Sequence, residues 1–271
     1  MNKIRALVFR AVLLVGAACQ IAGAQADVVA PPGTRIENLS AALRKAGIWL
    51  SPTPDFAVAN GQTWVLSGNQ EIVDLASGAS VLPRGFVAHS FARTRQGSVV
   101  IITENVLGGF IRGFFVPTTK LPYGNMRVTA GPGETVLIFG GPDDKQVLVS
   151  YDGESHATLL RLAEPIGAVA HVADRIFLSA GSKLLTLRSG EAPGLVFMLP
   201  DGSTITGIAV DAASGLIYLA SKEAIFTLGN GVATRKAQGL GGVLQWRDGA
   251  LHVLDPVRGL YVKATFPAAP Q

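Results

Sequence analysis

The chain has 271 residues, of which 48% are hydrophobic, 15% are charged and 32 are glycine. Its formal net charge is +4, but Lys3, Arg5 and Arg10 lie ahead of Asp27, and beyond that point 20 basic residues face 19 acids. This balance, without a cluster of basic residues, excludes a nucleic-acid partner. A glycine-rich, apolar chain with little charge is typical of many short strands joined by tight turns.

Residues 1–26 have the features of a secretory signal peptide, with a basic start, an apolar run and small residues at its end. The tripeptide Ala24-Gln25-Ala26 predicts cleavage before Asp27, with cleavage before Gln25 as an alternative. Either cut removes Cys19, the sole cysteine, so the mature chain has no disulfide or thiolate ligand. Acylation of Cys19, as in a lipoprotein, is the other alternative. No later segment is apolar for long enough to span a membrane. We therefore predict a periplasmic or secreted bacterial protein.

Residues 27–54 precede the main domain, which we assign to residues 55–271. The stretch 27–35 could add an outer strand to the last sheet of that domain. The sequence IENLSAALRKAGIW then predicts a short helix with Asn38 as its cap and Gly47 as its stop. Its apolar face consists of Ile36, Leu39, Leu43 and Ala46. We expect this helix to pack against one end of the domain; a partner-binding helix is the alternative.

From residue 55 onward a unit of about 35 to 40 residues recurs six times. The clearest copy, ITGIAVDAASGLIYLASKEAIFTLG, runs from Ile205 to Gly229. The other copies begin near Asp55, Ser90, Met126, Ile166 and Gly241. Each has three short apolar runs, and a weaker fourth follows three of the copies, at 157–162, 195–199 and 232–237. We therefore predict an all-β fold, a six-bladed β-propeller of antiparallel four-stranded sheets with a short N-terminal helix.

Two columns of the repeat support this prediction. Turn residues recur between the first and second runs, at Asn60-Gly61, Gln96-Gly97, Pro132-Gly133, Asp174, Asp211 and Asp248-Gly249. Asp211 and Asp248 are accordingly hairpin residues rather than catalytic ones. Bulky side chains recur inside the second run, at Trp64, Val100, Leu137, Phe177, Tyr218 and His252. His252 is thus predicted to pack between sheets with one ring nitrogen hydrogen-bonded.

The strings GIAVDAASGLIYLAS, GGVLQWRDGALHVLD and AVAHVADRIFLSAG resemble the repeats of the NHL and senescence-marker-protein (gluconolactonase)-like six-bladed propellers. The resemblance extends from Asp55 to Phe266. The gluconolactonase-like enzymes hold one divalent metal on the axis through carboxylates and an Asn-Gly pair before the IAVD strand. The resemblance implies a metal at the same place in this chain. This chain has Thr206-Gly207 in place of that pair, which argues against lactonase chemistry.

Other catalytic patterns are missing from the sequence. It has no G-x-S-x-G elbow, no H-E-x-x-H zinc motif and no phosphate-binding glycine loop, and its four histidines lie in four different copies. We assign no catalytic residue. The turns between second and third runs carry charge that the repeat does not explain, and they should share one end of the ring. Our candidates for a ligand face are Glu104, Asn105, Asp143, Asp144, Asp255 and Arg258; ordinary solvated turns are the alternative.

The sequence thus favours an exported, non-catalytic binding or scaffold propeller that engages a protein or envelope component through one face of the ring. We expect a monomer without a cofactor. The alternative is a metal-dependent hydrolase or lactonase in which Glu104, Asn105 and Asp255 hold calcium or another divalent cation. A carbohydrate-binding propeller is a third possibility and would need exposed aromatic platforms.

Overall fold

The computed structural model describes residues 28–94, 96–229 and 231–267. The predicted signal peptide, its cleavage site and Cys19 lie outside the described residues. Within the described ranges the chain forms 23 strands and one short helix. No helix in this part of the chain is long and apolar enough to cross a membrane.

The strands follow one another in consecutive antiparallel sheets, which we number as blades 1 to 6. Blades 1 to 3 contain β2 (Phe56–Ala59), β3 (Gln62–Leu66) and β4 (Ile72–Asp74); β5 (Ser90–Arg93), β6 (Val99–Thr103), β7 (Val106–Ile111) and β8 (Phe114–Lys120); and β9 (Arg127–Ala130), β10 (Val136–Gly140), β11 (Gln146–Tyr151) and β12 (His156–Leu162).

Blades 4 and 5 contain β13 (Ile166–Val172), β14 (Arg175–Ala180), β15 (Lys183–Arg188) and β16 (Gly194–Met198); and β17 (Gly207–Asp211), β18 (Leu216–Ala220), β19 (Ala224–Gly229) and β20 (Val232–Gln238). Blade 6 contains β21 (Val243–Arg247), β22 (Ala250–Asp255), β23 (Leu260–Thr265) and, as its outer strand, β1 (Arg35–Asn38). The weak fourth runs of the sequence correspond to β12, β16 and β20, as predicted.

The six blades form a closed ring. The first strand of every blade contacts the first strands of both neighbouring blades, from β2 through β5, β9, β13, β17 and β21 back to β2. The first strands therefore line the axis, and the predicted six-bladed β-propeller is confirmed. Five of the sheets seen in the described residues have four strands; blade 1 has three, with a Val73–Ser80 bridge in the fourth position.

The N-terminal segment completes blade 6, as expected, but the predicted strand position was wrong. Pairing with β23 begins at Arg35 opposite Thr265 and ends at Asn38 opposite Val262, so it starts at the last residue of the expected range 27–35 and extends three residues past it. The reason is the side chain of Ile36, which packs into the apolar cluster shared by blades 5 and 6 instead of lying on the helix. Upstream, Val29 forms an isolated bridge with Gln238 of β20.

The helix α1 (Ser40–Lys45) is consequently shorter than the predicted one. Asn38 lies one residue before its N-cap, and the Asn38 Oδ1 atom accepts a hydrogen bond from the Ser40 N–H at 2.9 Å. Gly47 ends the helix with a φ of 67°, as predicted. Leu43 is 2% exposed and packs with Phe56 and Tyr261, so the helix covers the junction of blades 6 and 1.

The predicted hairpins and the packing column are also confirmed. Asn60-Gly61 and Asp248-Gly249 have positive φ at both residues, which is the backbone that a two-residue hairpin turn requires. His252 is 5% exposed, and its Nδ1 atom lies 2.8 Å from the hydroxyl of Tyr261. Burial lowers the pKa of His252, with Lys263 adding to the effect.

Candidate functional site

The two ends of the ring differ in what they carry. One end, which we call the link end, holds the blade-to-blade links, the turns between second and third strands, and the entries to the six axial strands. The opposite end, the hairpin end, holds the turns between first and second strands and between third and fourth strands. All the ligand-face candidates lie at the link end: Glu104, Asn105, Asp143, Asp144, Asp255 and Arg258.

A polar cluster lies at the axial strand entries of the link end. We call Asp55, Ser90 and Arg127 the axial cluster; Asp55 directly precedes β2, and the other two begin β5 and β9. Asp55 is only 6% exposed. Its Oδ2 atom accepts hydrogen bonds from the hydroxyl of Ser90 and from the Phe91 N–H, the latter at 3.3 Å. The Ser90 oxygen in turn accepts from the Val128 N–H at 2.9 Å.

Arg127 connects three blades through one guanidinium group. Its Nη2 atom forms an ion pair with Oδ1 of Asp55, and its Nη1 atom donates to the carbonyl oxygen of Gly167 in blade 4 at 3.2 Å. The guanidinium carbon lies 5.4 Å from the centroid of the Phe139 ring. The Arg127 and Asp55 side chains are 22% and 8% exposed, so both charges are largely removed from water.

Position 167, whose carbonyl oxygen accepts the hydrogen bond from Arg127, requires glycine. A Cβ atom at Gly167 would lie 2.6 Å from the carbonyl oxygen of Ile205. The Ser179 hydroxyl oxygen accepts from the N–H groups of Gly167 and Ala168, at 3.1 and 2.9 Å, and so fixes this irregular strand entry. The carbonyl of Gly167 is thereby oriented toward Arg127.

The position that the family resemblance assigns to a metal-binding amide has a different role here. The hydroxyl of Thr206 lies 3.3 Å from the carbonyl oxygen of Ala220 and 3.2 Å from that of Gly242, and it donates to these main-chain acceptors. The following Gly207 lies so close to blade 6 that a Cβ atom there would be 2.3 Å from the Gly242 oxygen. Thr206 therefore joins blades 5 and 6.

Asp255 and Arg258 belong to a second ion network. Asp255 is completely buried, and its Oδ1 atom accepts from the N–H groups of Val257 and Arg258, both at 3.0 Å. Its Oδ2 atom accepts from the Gly241 N–H at 3.3 Å and from Nη1 of Arg258 at 3.0 Å. Arg258 also pairs with Glu223 of blade 5, and the interactions with Asp255 and Glu223 raise its pKa against the opposing effect of burial. This network holds the turns of blades 5 and 6 together.

The other four candidates lie on the turns of blades 2 and 3. Glu104 is exposed and has a φ of 52°, which places it in a tight turn without glycine. Asn105 is half-buried, and its carbonyl oxygen accepts from the Leu121 N–H at 2.7 Å. Asp143 and Asp144 are exposed. Blade 1 separates the Glu104 turn from the Asp255 turn in blade 6.

An exposed aromatic ring at the link end has no counterpart among the sequence-predicted candidates. Trp49 is 56% exposed, yet its indole N–H donates to Oδ1 of Asn69 at 3.2 Å. The ring lies against Gly68, where a Cβ atom would be 2.1 Å from a ring carbon. Glycine at position 68 thus permits the ring to lie on the backbone of the turn. Trp49 is therefore a fixed apolar surface on the turn between β3 and β4 of blade 1.

The donor set does not fit the divalent metal that the resemblance implies. In the described part of the chain, no three His, Cys, Asp or Glu side chains come together to hold an ion. The buried carboxylate at the axis, Asp55, is already neutralised by Arg127, and Asp255 is neutralised by Arg258. A hard cation needs several free oxygen ligands. At the axis, the Asp55 carboxylate is instead paired with the Arg127 guanidinium.

The sequence contained a signal for the axial cluster that the repeat alignment did not use. Asp55, Ser90 and Arg127 occupy the same strand-entry position in three successive copies. A comparison of the copies at this position, rather than at the turns, would have shown an acid, a hydroxyl and a base that could meet at the axis.

Comparison with known proteins agrees with the fold. No family model matches the chain, and no curated protein matches it. Among solved structures, it is similar to a gluconolactonase from Xanthomonas campestris, with a TM-score of 0.68 and 11% identity over 89% of this chain and 96% of that one.

Two further structures show the same ring. The calcium-binding protein regucalcin from Agrobacterium tumefaciens has a TM-score of 0.62 and 13% identity over 80% of this chain and 90% of that one. Virginiamycin B lyase from Staphylococcus aureus has a TM-score of 0.61 and 11% identity over 78% and 80%. At these identities the likeness shows the fold alone. The chain is a six-bladed β-propeller.

Proposed function

We propose that this chain is an exported, non-catalytic binding or scaffold propeller, which engages a protein or envelope component through the link end of its ring. The observation that carries the proposal is the ion pair between Arg127 and Asp55. It occupies the axis, where the gluconolactonase-like enzymes hold their metal. Because function depends on the site rather than the fold, this difference outweighs the structural similarity to enzymes.

The ion pair can perform the structural part of a metal ion's role. A cation at the axis ties strand entries from several blades together, and Arg127 does so through Asp55 and the Gly167 carbonyl. A guanidinium remains protonated in proteins and has no open coordination position for water. The axial cluster therefore supports stability and offers no activated nucleophile.

The link end has the features of a binding surface. Trp49 is exposed but held rigidly, and Val257 is 60% exposed on the turn that the Asp255 and Arg258 network shapes. Rigid aromatic side chains are common anchors in protein interfaces. The exposed acids Glu104, Asp143 and Asp144 on the turns of blades 2 and 3 would favour a partner with basic groups.

Capture from the envelope fraction tests this proposal. The mature chain, immobilised, should retain a partner that is lost with Trp49→Ala and weakened by Glu104→Lys. Phe114→Ala and Glu154→Lys are matched controls, since both residues are exposed at the hairpin end, and they should leave capture unchanged.

Capture that is equal for all four variants would contradict the link-end proposal. Retention of soluble glycans instead of a protein, lost with Trp49→Ala, would identify a carbohydrate-binding propeller. Lactone hydrolysis that depends on added calcium would identify the hydrolase alternative.

A further inference from the structure

A groove between blades 2 and 3 forms a cavity of about 380 Å³ that is separate from the axial cluster. We call it the interblade groove. Its floor consists of buried apolar side chains from blade 3 and the link before it: Met126, Ile138, Val147 and Val149. The end of β8, the link after it and the outer strand β12 form its walls.

The polar side chains of the groove are basic or neutral. Lys120 at the end of β8 and Arg161 near the end of β12 lie at the link end, and His156 begins β12 at the other end. The lining residues that the structure describes include no Asp or Glu. A neighbouring depression of about 290 Å³ shares Arg161 and Val147 but is also lined by Asp144, so it has an acid that the interblade groove lacks.

The length of the groove indicates the shape of its ligand. The outer strand runs from His156 to Arg161 along the wall, which corresponds to roughly 15 Å at the usual rise per residue. Both permanent cations, Lys120 and Arg161, lie at the link end of this length. A linear apolar chain would cover the floor, and a terminal anion would reach Lys120 and Arg161.

We propose that the interblade groove binds an amphipathic carboxylate of the fatty-acid type. Its volume lies in the range of small-ligand pockets, and its apolar floor with a few polar groups at one end is the usual composition of such sites. Burial of the aliphatic chain would supply most of the affinity. The Arg161 guanidinium and the Lys120 ammonium would fix the orientation through charge-assisted hydrogen bonds to the carboxylate.

Calorimetric titration of the mature chain with dodecanoate, below its micelle concentration, tests the proposal. Wild type should bind, and Arg161→Gln or Lys120→Gln should each weaken binding by about three- to fivefold, with a loss of salt dependence. Arg175→Gln, an equal change at an exposed strand position of blade 4, should have no effect. 1-Dodecanol, which has the same chain without the charge, should bind more weakly than dodecanoate.

A second pair of variants tests where the aliphatic chain of dodecanoate lies. Thr158 is exposed and lines the groove, so Thr158→Trp should fill it from the surface and abolish dodecanoate binding, whereas Thr158→Ser should not. The melting midpoints of both variants verify folding. Absence of dodecanoate binding by wild type, equal binding by Thr158→Trp, or equal affinity for 1-dodecanol would overturn the proposal. These results do not depend on capture at the link end.

Discussion

Gln245 in blade 6 accepts a hydrogen bond through its Oε1 atom from the backbone N–H of Val58 in blade 1, at 2.9 Å. Its Nε2 atom donates to the carbonyl oxygen of Phe56 at 2.8 Å. One side-chain amide therefore satisfies a donor and an acceptor on the axial strand of the neighbouring blade. It joins the last blade to the first across the junction that closes the ring.

Gln245→Ala should lower the free energy of unfolding by about 2 kcal/mol, because it leaves two partly buried backbone groups of β2 without partners. Gln245→Glu should also destabilise, since a carboxylate cannot donate to Phe56. Urea denaturation measures both, with Gln96→Ala on an exposed turn as the control. An equal stability for Gln245→Ala and Gln96→Ala would show that the amide has no role in closure.

Removal of β1 should loosen blade 6. A truncated chain that begins at Leu39 loses the pairing from Arg35 to Asn38 and leaves the edge of β23 unpaired. Hydrogen–deuterium exchange should then speed up in β23, while β11 in blade 3 retains its protection. Unchanged protection of β23 would mean that blade 6 is stable without the N-terminal strand.

His252 should make stability depend on pH. Burial lowers its pKa below the ordinary value of 6.5, while Asp248 and Glu37 partly oppose this effect. The unfolded chain therefore binds the proton more readily, so stability is complete above about pH 6.5 and falls as the pH drops below that value. His252→Gln, which retains a polar contact for Tyr261, should flatten this decline in thermal melts between pH 7 and 5. An unaltered slope would assign the decline to other groups.

Local sequence determined much of the fold. The hairpins at Asn60-Gly61 and Asp248-Gly249 were predictable because their turns need positive φ at both positions, and Asn-Gly and Asp-Gly are the pairs that adopt it most readily. The repeat predicted the ring because each sheet needs neighbours to bury its faces. The position of β1 was not predictable in this way, since Ile36 suits either a helix face or a sheet junction.

The axial cluster depends on ring closure rather than on local pattern. Asp55, Ser90 and Arg127 come from three blades and meet only because the axial strands begin at one end of the ring. In sequence, each residue is an ordinary polar residue at the start of an apolar strand, and only a comparison of the three copies at that position relates them. The burial of Asp255 was not predictable from the sequence either. Its partners are Gly241 in a link and Arg258 in a turn, and no local pattern relates these residues to one another.

Arg127 and Asp55 should be strongly coupled in stability. Arg127→Met should cost about 3 kcal/mol, because it leaves the Asp55 carboxylate buried without a counter-charge. Asp55→Asn in the same chain should recover part of that loss. A double-mutant cycle by urea denaturation measures the coupling, with the exposed Lys183–Glu164 pair as the control that should show a coupling below about 1 kcal/mol. Additive effects of Arg127→Met and Asp55→Asn would contradict the coupling.

The melting midpoint of a chain of residues 27–271 in chelator and in millimolar calcium tests most directly whether Arg127 holds the axial position. We predict the same midpoint in both conditions, because the Asp55 carboxylate is already paired and no three His, Cys, Asp or Glu side chains among the described residues come together to hold an ion. A midpoint that rises with calcium and saturates at one ion per chain would contradict this account and favour a metal-dependent enzyme.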